Sequence, residues 1–378
     1  MKIAIVTETF LPSTDGIVTR LCESIKWLRK EGHEILIIAP DGGVYEYEGA
    51  RVEGVPPRSF FLYKNKKFAY PSRKVKDALD KFSPDLVHVV NPAFLGVSGI
   101  YYARKRKDPL VASYHTNVPK YADYYRVSFV KPALWWFFRT LHNRADMNLC
   151  TSQTIKDELD GKGFKNVHLW TRGVAVERFG PEKKTTDMRN RLTGGNPNKT
   201  LLLYVGRLAP EKEIEKIKHV IEKKQNFCLA IVGDGPHREQ LEKHFAGTDT
   251  VFTGFMHGEE LAEAYASADV FVFPSTTETL GLVILEAMAS GLPIVAADSG
   301  PTREQIEHEQ DGLLYNPDEA GSFSKTLLRL NDESFRQQLA KNAYETGQDF
   351  GWDKPSRQLY SFYQEVLASQ PALVNENF

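Results

Sequence analysis

Short apolar runs recur along the chain, each followed by a longer stretch with helical spacing. In the first half the runs are Lys2–Thr7, Glu34–Ala39, Asp85–Val90, Leu110–Tyr114, Met147–Cys150 and Val167–Leu169. They are near-continuously apolar, which is the pattern of strands buried on both faces. Ile17–Lys30, Leu95–Arg106 and Ser152–Leu159 read as the helices between them, and Pro40-Asp-Gly-Gly43 reads as a turn. The alternation lapses over 172–199, where Thr185–Asn198 is polar and rich in Gly and Asn, so this region reads as a linker. It then restarts with strands Leu201–Val205, Cys228–Val232, Val251–Gly254, Asp269–Phe273 and Pro293–Ala297. Helices are expected near Glu213–Lys224, His237–Phe245 and Gly281–Ser290, and three more in the tail, the last near Trp352–Ala368. Regular strand–helix alternation in two blocks predicts an α/β protein with two doubly wound parallel sheets. The expected domains are 1–175, joined by the C-terminal helix 352–378, and 176–351.

Composition supports two ordinary globular domains: 378 residues, 42% hydrophobic and 26% charged. Cys22, Cys150 and Cys228 have no metal or redox spacing, which points to a reducing compartment. The start meets a charge too early for a signal peptide, and no apolar run is long enough to span a membrane. Charge adds one feature. Residues 1–175 carry 27 Lys and Arg against 18 Asp and Glu, whereas the remainder carries 21 against 31. A basic first half suits an anionic partner. No nucleic-acid motif is present, and an anionic membrane surface fits at least as well.

The most informative stretch is Pro274–Gly291, between two of the predicted strands. From Thr279 to Ala297 the only charged residue is Glu286, and a carboxylate in so apolar a helix needs a hydrogen-bonding partner. Glu278 lies eight positions earlier, on a strand-to-helix loop, the edge of an α/β sheet where ligands bind and helix-start amides suit phosphate. The plain alternative is a buried strand–helix–strand unit with one Glu bonded to backbone. Val232-Gly-Asp-Gly-Pro236 reads as a strand-end turn and lacks a third glycine for a dinucleotide fingerprint. Gly16 opens a helix, so nearby backbone amides are candidates for a phosphate. His115 ends a strand, where a lone histidine is more often structural than catalytic. No Asp-x-Asp metal motif stands in a suitable context, and no Ser/His/Asp or Cys/His set stands out.

The spacing Glu278-x7-Glu286 with Gly281 between resembles the donor site of retaining family 4 glycosyltransferases of the GT-B fold, two Rossmann-like domains facing each other across a cleft. The resemblance implies that Glu278 faces the donor sugar, Glu286 binds the ribose hydroxyls, and amides of Thr279, Leu280, Gly281 and Leu282 hold the diphosphate. Gly206-Arg207…Glu211-Lys212 is similar to the family's phosphate-binding pattern, so Arg207 and Lys212 neutralise the leaving diphosphate without a metal. By the same likeness Gly254, Phe255 and Met256 contact the base through backbone atoms, Gly16 approaches a phosphate, and His115 contacts the sugar. Front-face attack, with the donor phosphate helping to deprotonate the acceptor, requires no carboxylate base and no cofactor.

Asp15-Gly-Ile-Val-Thr-Arg20, Val89-Val-Asn-Pro92, Ala112-Ser-Tyr-His-Thr116, Leu169-Trp-Thr-Arg-Gly-Val174 and Thr277-Glu-Thr-Leu-Gly-Leu282 look like the sulfoquinovosyltransferases of photosynthetic membranes. That likeness implies transfer of sulfoquinovose from UDP-sulfoquinovose to diacylglycerol, at the cytoplasmic face of such a membrane. Ser299-Gly-Pro-Thr-Arg-Glu304 departs from the expected loop. A GDP-mannose-dependent lipid mannosyltransferase and a nucleotide-sugar epimerase of the same fold stay open. A sulfonate calls for a cation or several N–H donors, and Lys120 and Arg172 are the candidate cations. For a peripheral membrane contact the candidates are 58–70, Arg104-Lys-Arg-Lys107 and the aromatic Lys131–Arg139.

Overall fold

The computed structural model describes residues 1–370 apart from positions 14, 61–62, 125–126, 224–225 and 278–280, and at 59–60, 63–67, 121, 123–124 and 223 the backbone alone. Contacts divide the chain into two compact units, Met1–Arg172 with Trp352–Phe378, and Gly173–Gly351.

The first unit's strands are β1 (Lys2–Thr7), β2 (Glu34–Pro40), β3 (Glu46–Tyr47), β4 (Ala50–Val55), β5 (Arg58–Phe60), β6 (Tyr63–Phe68), β7 (Leu86–Val90), β8 (Leu110–Ser113), β9 (Met147–Cys150) and β10 (Val167–Leu169). Eight of them form one sheet in the order β10-β9-β8-β7-β1-β2-β4-β3. All neighbours are parallel except β3 and β4. Every residue of β7 is buried, as a strand covered on both faces requires. Helices Gly16–Lys30 and Asp353–Ala368 pack on the face lined by Ile3, Ile5 and Ile35. Helices Arg73–Phe82 and Leu95–Arg106 cover the face lined by Ala4, Val6 and Leu36.

Strands β11 (Thr200–Val205), β12 (Phe227–Val232), β13 (Thr250–Gly254), β14 (Val270–Phe273), β15 (Ile294–Ala297) and β16 (Leu313–Tyr315) build the second unit. They form one parallel sheet in the order β13-β12-β11-β14-β15-β16.

Two expectations are corrected. The stretch 185–198 is no loose linker: it contains the helix Thr186–Leu192, capped by the Thr185 hydroxyl, with Met188 and Leu192 buried. Its Arg189 pairs with Asp269 at 2.7 Å and donates to the Ser267 carbonyl, which ties it to the second sheet. Two apolar positions in seven residues are too few for a periodic signal. The single helix expected over 213–224 is instead a pair of 3-10 turns, Pro210–Lys212 and Ile214–Ile217, followed by Lys218–Lys223. Glu213, at φ +52°, breaks the path between the two turns.

Both sheets reverse their order at one place, where β1 lies between β2 and β7, and β11 lies between β12 and β14. The crevice outside the C-terminal ends of such strands is where open α/β sheets bind ligands. Glu8 leaves β1 at this point and does structural work. Its carboxylate accepts N–H bonds from Ala93, Phe94, Leu95 and Gly96 at 2.8–3.1 Å, supplying the cap that Phe94 cannot give the helix Leu95–Arg106. Among the described residues no helix is long and apolar enough to cross a membrane.

Glu8→Ala leaves four helix-start amides without their acceptor and should destabilise the first unit by about 2 kcal/mol or more. The check is a shift of the urea midpoint at unchanged slope. A midpoint equal to wild type would show that this carboxylate does not hold the helix.

Candidate active site

In the second unit the β11 loop and the β14 loop are bolted together. Arg207 pairs with Glu211, which is completely buried. The Glu211 carbonyl accepts from Thr277 Oγ1 at 3.1 Å and Ser275 Oγ at 3.4 Å. Lys212 closes the turn Pro210–Lys212 and is only 7% exposed, while the Arg207 side chain is 40% exposed. Arg207 and Lys212 are thus carried on one short loop, anchored beside the segment that leads to Glu278. Glu278, Thr279 and Leu280 lie outside the described residues.

Gly281 follows at φ +59° as the N-cap of the helix Leu282–Ala289. A Cβ there would meet Gln305 Nε2 at 2.5 Å and push that side chain aside, and the left-handed backbone favours glycine. The partner that Glu286 requires is Tyr265, whose hydroxyl donates to Oε2 at 2.8 Å. Burial pushes the Glu286 carboxyl above its usual range, opposed by the Tyr265 hydrogen bond and by Arg178. Burial and the adjacent carboxylate push the Tyr265 phenol far up, so it remains a donor. Among the described residues Oε1 of Glu286 makes no hydrogen bond, which leaves an acceptor for a hydroxyl.

Gly254 ends β13 at φ +78°, Phe255 beside it is 61% exposed, and Met256 is buried. The turn Val232–Pro236 is a packing device, because a Cβ at Gly233 would lie 2.0 Å from the Gly206 carbonyl oxygen. One at Gly235 would lie 2.2 Å from the Leu208 carbonyl oxygen.

The first unit holds its own cluster. His115 Nε2 meets Ser113 Oγ at 2.9 Å, the same hydroxyl meets His88 Nε2 at 2.9 Å, and His88 Nδ1 meets the Tyr363 hydroxyl at 2.7 Å. Sequence reading missed Arg20. It is fully buried, its guanidinium lies 3.5 Å from the Trp170 ring centre, and it donates to the Trp170 and Thr171 carbonyls. Its charge, after burial, holds His88 and His115 below the usual histidine range. Arg172 is 7% exposed and close enough to Arg20 to act on it electrostatically, whereas Lys120 is exposed on the helix Val118–Tyr124. Of the two sulfonate candidates, Arg172 is the one that belongs to the cluster.

Gly16 starts a helix as expected, but Asp15 already accepts from Ile17 N and Val18 N, each at 3.1 Å. Those two amides are occupied by a carboxylate. Among the described residues no group of three or more His, Cys, Asp or Glu is placed to hold a metal.

Comparison with known proteins settles what such a pair of units is. Residues 14–178 match the family described as Glycosyltransferase Family 4, and residues 189–346 match Glycosyl transferases group 1. The sulfoquinovosyl transferase of Arabidopsis thaliana is 38% identical over 89% of this chain and 68% of its own length. A GDP-mannose-dependent alpha-mannosyltransferase of Mycobacterium tuberculosis is 40% identical over 83% of each chain. The chain belongs to glycosyltransferase family 4. It is 28% identical, over 98% of its length and 87% of the relative's, to the alpha-monoglucosyldiacylglycerol synthase of Streptococcus pneumoniae. Among solved structures, Anabaena HepE in complex with UDP and glucose superposes with a TM-score of 0.78 at 20% identity, covering 96% of this chain and 99% of that one.

This glycosyltransferase is therefore a hexosyltransferase of GT-B fold, and the epimerase alternative finds no support in these matches. Of the residues that sequence reading missed here, Arg20 ends the Asp15–Arg20 motif but was given no role, and His88, Tyr265 and Tyr363 carry no motif signal. Each is recognisable only from what it packs against.

The neutral histidines make a pH prediction. Burial lowers His88 to about 3 and His142 to about 4, while an unfolded histidine protonates near ~6.5. Below that value the unfolded state binds more protons than the folded state, so stability falls as pH falls. The loss approaches about 1.4 kcal/mol per pH unit for each residue down to its folded value. Above pH 7 neither contributes a slope. Urea unfolding at pH 7, 6 and 5 measures this, and a pH-independent midpoint across that window would rule out buried neutral imidazoles.

Proposed function

We propose that the enzyme transfers sulfoquinovose from UDP-sulfoquinovose to diacylglycerol, with retention at the anomeric carbon. The observation that carries the donor-binding part is the anchored loop that presents Arg207 and Lys212 beside the segment leading to Glu278 and Gly281. A departing diphosphate develops charge on its oxygens, and Arg207, held in place by the buried Glu211, with Lys212 on the same loop, stabilises it without reorganising. Glu286, oriented by Tyr265, accepts from the ribose. Glu278 and His115 are assigned to the sugar, and Gly254 to Met256 to the base. The donor phosphate takes the acceptor proton, so neither a metal nor a carboxylate base enters the reaction.

Two observations support the sulfonated donor: the likeness to the Arabidopsis sulfoquinovosyl transferase, and the pairing of Arg172 with a buried Arg20 in the first unit. A sulfonate is a permanent anion and gains from such a pole, where a neutral hexose gains little. GDP-mannose is the second reading, favoured by the 40% identity to the mycobacterial mannosyltransferase.

A lipid acceptor calls for a peripheral membrane contact, for which the helix Lys131–His142 is the best-supported site. It buries Phe138 and exposes Trp136 at 61%, and Phe129 just before it is 83% exposed. Arg104 donates to the Arg144 carbonyl, so the end of the basic helix Leu95–Arg106 adjoins it. Within the basic cluster Arg104 is neutralised by Asp146 and Arg106 by Asp80 and Asp108. Lys105 and Lys107 remain as the exposed cations. The alternative at 58–70 folds as the β5–β6 hairpin, and positions 61–62 lie outside the described residues.

Arg207→Ala and Lys212→Ala should each weaken UDP binding by roughly 1.5–3 kcal/mol in calorimetry. Unchanged affinity in both would remove the phosphate assignment. Arg172→Met should lower kcat/KM for UDP-sulfoquinovose about 30-fold more than for UDP-glucose. Equal losses would leave the sulfonate without this partner, and a wild-type preference for GDP-mannose would reject the donor. Phe129→Ala with Trp136→Ala should release the protein from anionic vesicles in co-sedimentation while UDP binding stays intact. Retention on the vesicles would move the membrane contact elsewhere.

A further inference from the structure

The C-terminal helix Asp353–Ala368 reaches His115 through three hydrogen bonds, and their direction can be worked out. Tyr363 is completely buried, and among the described residues its hydroxyl has one polar neighbour, His88 Nδ1, at 2.7 Å. Ser113 Oγ sits between the two imidazoles, 2.9 Å from His88 Nε2 and 2.9 Å from His115 Nε2. Among the described residues these two rings are the only acceptors for the Ser113 proton, and accepting from both rings would strand it, so Ser113 donates to one ring and accepts from the other. Only two polarities of the whole chain are therefore possible.

In one, His88 Nδ1–H donates to Tyr363, and the tyrosine's own hydrogen is sealed in the core without an acceptor. In the other, Tyr363 donates to His88 Nδ1, and His88 Nε2–H donates to Ser113. Ser113 then donates to His115 Nε2, and the His115 proton resides on Nδ1. The second polarity gives the protons of Tyr363, His88 and Ser113 each an acceptor, whereas the first strands the Tyr363 proton. It requires both rings to be neutral, and burial next to Arg20 keeps them so. Trp170 packs edge-on against His115 and approaches His88, with ring centres 5.8 and 6.0 Å away. Its indole N–H is tied to the Pro355 carbonyl of the same C-terminal helix, so the rings are held in place on that side.

We infer that Tyr363 is a positioning residue that, through His88 and Ser113, fixes His115 as an Nδ1–H donor toward the donor sugar. The effect on the sugar rests on the assignment of His115 made above. The direction of the hydrogen bonds does not.

The test uses full-length protein with 15N-labelled histidine. Long-range 15N–1H spectra of wild type should show His115 protonated on Nδ1 and bare on Nε2, and His88 the opposite. The reverse pattern, or an even mixture, overturns the inference whether or not any variant folds. In Tyr363→Phe, which keeps the ring and removes the hydroxyl, the His115 pattern should become mixed, and kcat/KM should fall roughly tenfold. In a Ser113→Ala background, where the path is already cut, Tyr363→Phe should have little further effect on kcat/KM. Additive losses overturn the relay. A large loss in His115→Ala with none in Tyr363→Phe also overturns it and leaves the His115 assignment intact. No loss in either variant instead removes His115 from the sugar site.

Discussion

One buried cation sets the terms for the first unit. Arg20 lies in the core on the face of Trp170, and among the described residues it makes no ion pair. Burial lowers its pKa, yet a guanidinium starts so high that it stays charged. Its stabilisation comes from two carbonyls, Trp170 and Thr171, and from the indole ring. Those carbonyls belong to the strand end that leads out of the first unit at Arg172. The same charge discourages protonation of His88 and His115, so a polar relay persists in the core as a neutral one. Removing the cation would free the exit strand and release the histidines together.

The second unit reaches a comparable rigidity by a different route. Its β11, β12 and β13 ends converge because glycines let backbone touch backbone: Gly233 against Gly206, and Gly235 against Leu208. Side chains at these points would hold the loops apart by more than an ångström. The β11 loop, so placed, brings Glu211 into the core, and Glu211 in turn holds Arg207 and the β14 loop. A buried carboxylate is costly unless paired, and removing its partner would be more costly still. The cation at the strand end is thus fixed by the energetics of the acid beneath it.

These two units differ in how visible they were beforehand. The parallel core strands were legible because burial on both faces leaves continuous apolar runs, as in β7 and β12. The short strands β3, β5, β6 and β16, at sheet edges or in the two-stranded β5–β6 sheet, and β4 next to the edge, were not, because such strands lack a long continuous apolar run. Glu286 announced its need for a partner, but nothing in the sequence said that Tyr265, 21 residues away, would supply it. Glu8 read only as an early charge, since its four amides come from positions 93–96. Arg20 and Tyr363 lie in helices whose spacing predicts a buried face. Local spacing does not say which buried residues on that face are polar by function.

Net charge shows the same limit of a one-dimensional reading. Residues 176–378 carry an excess of ten acidic groups, which by itself would repel a nucleotide diphosphate. Exposed charges act over roughly 8 Å at physiological salt, so distant surface carboxylates contribute little at the β11 and β14 ends. Many are also paired locally, as in Arg191–Glu260, Lys199–Asp249 and Arg329–Glu309. On the proposed donor assignment, a diphosphate at those strand ends would meet Arg207, Lys212 and the helix start at Gly281. Local placement, fixed by glycines and a buried acid, outweighs the net charge summed over the second half of the chain.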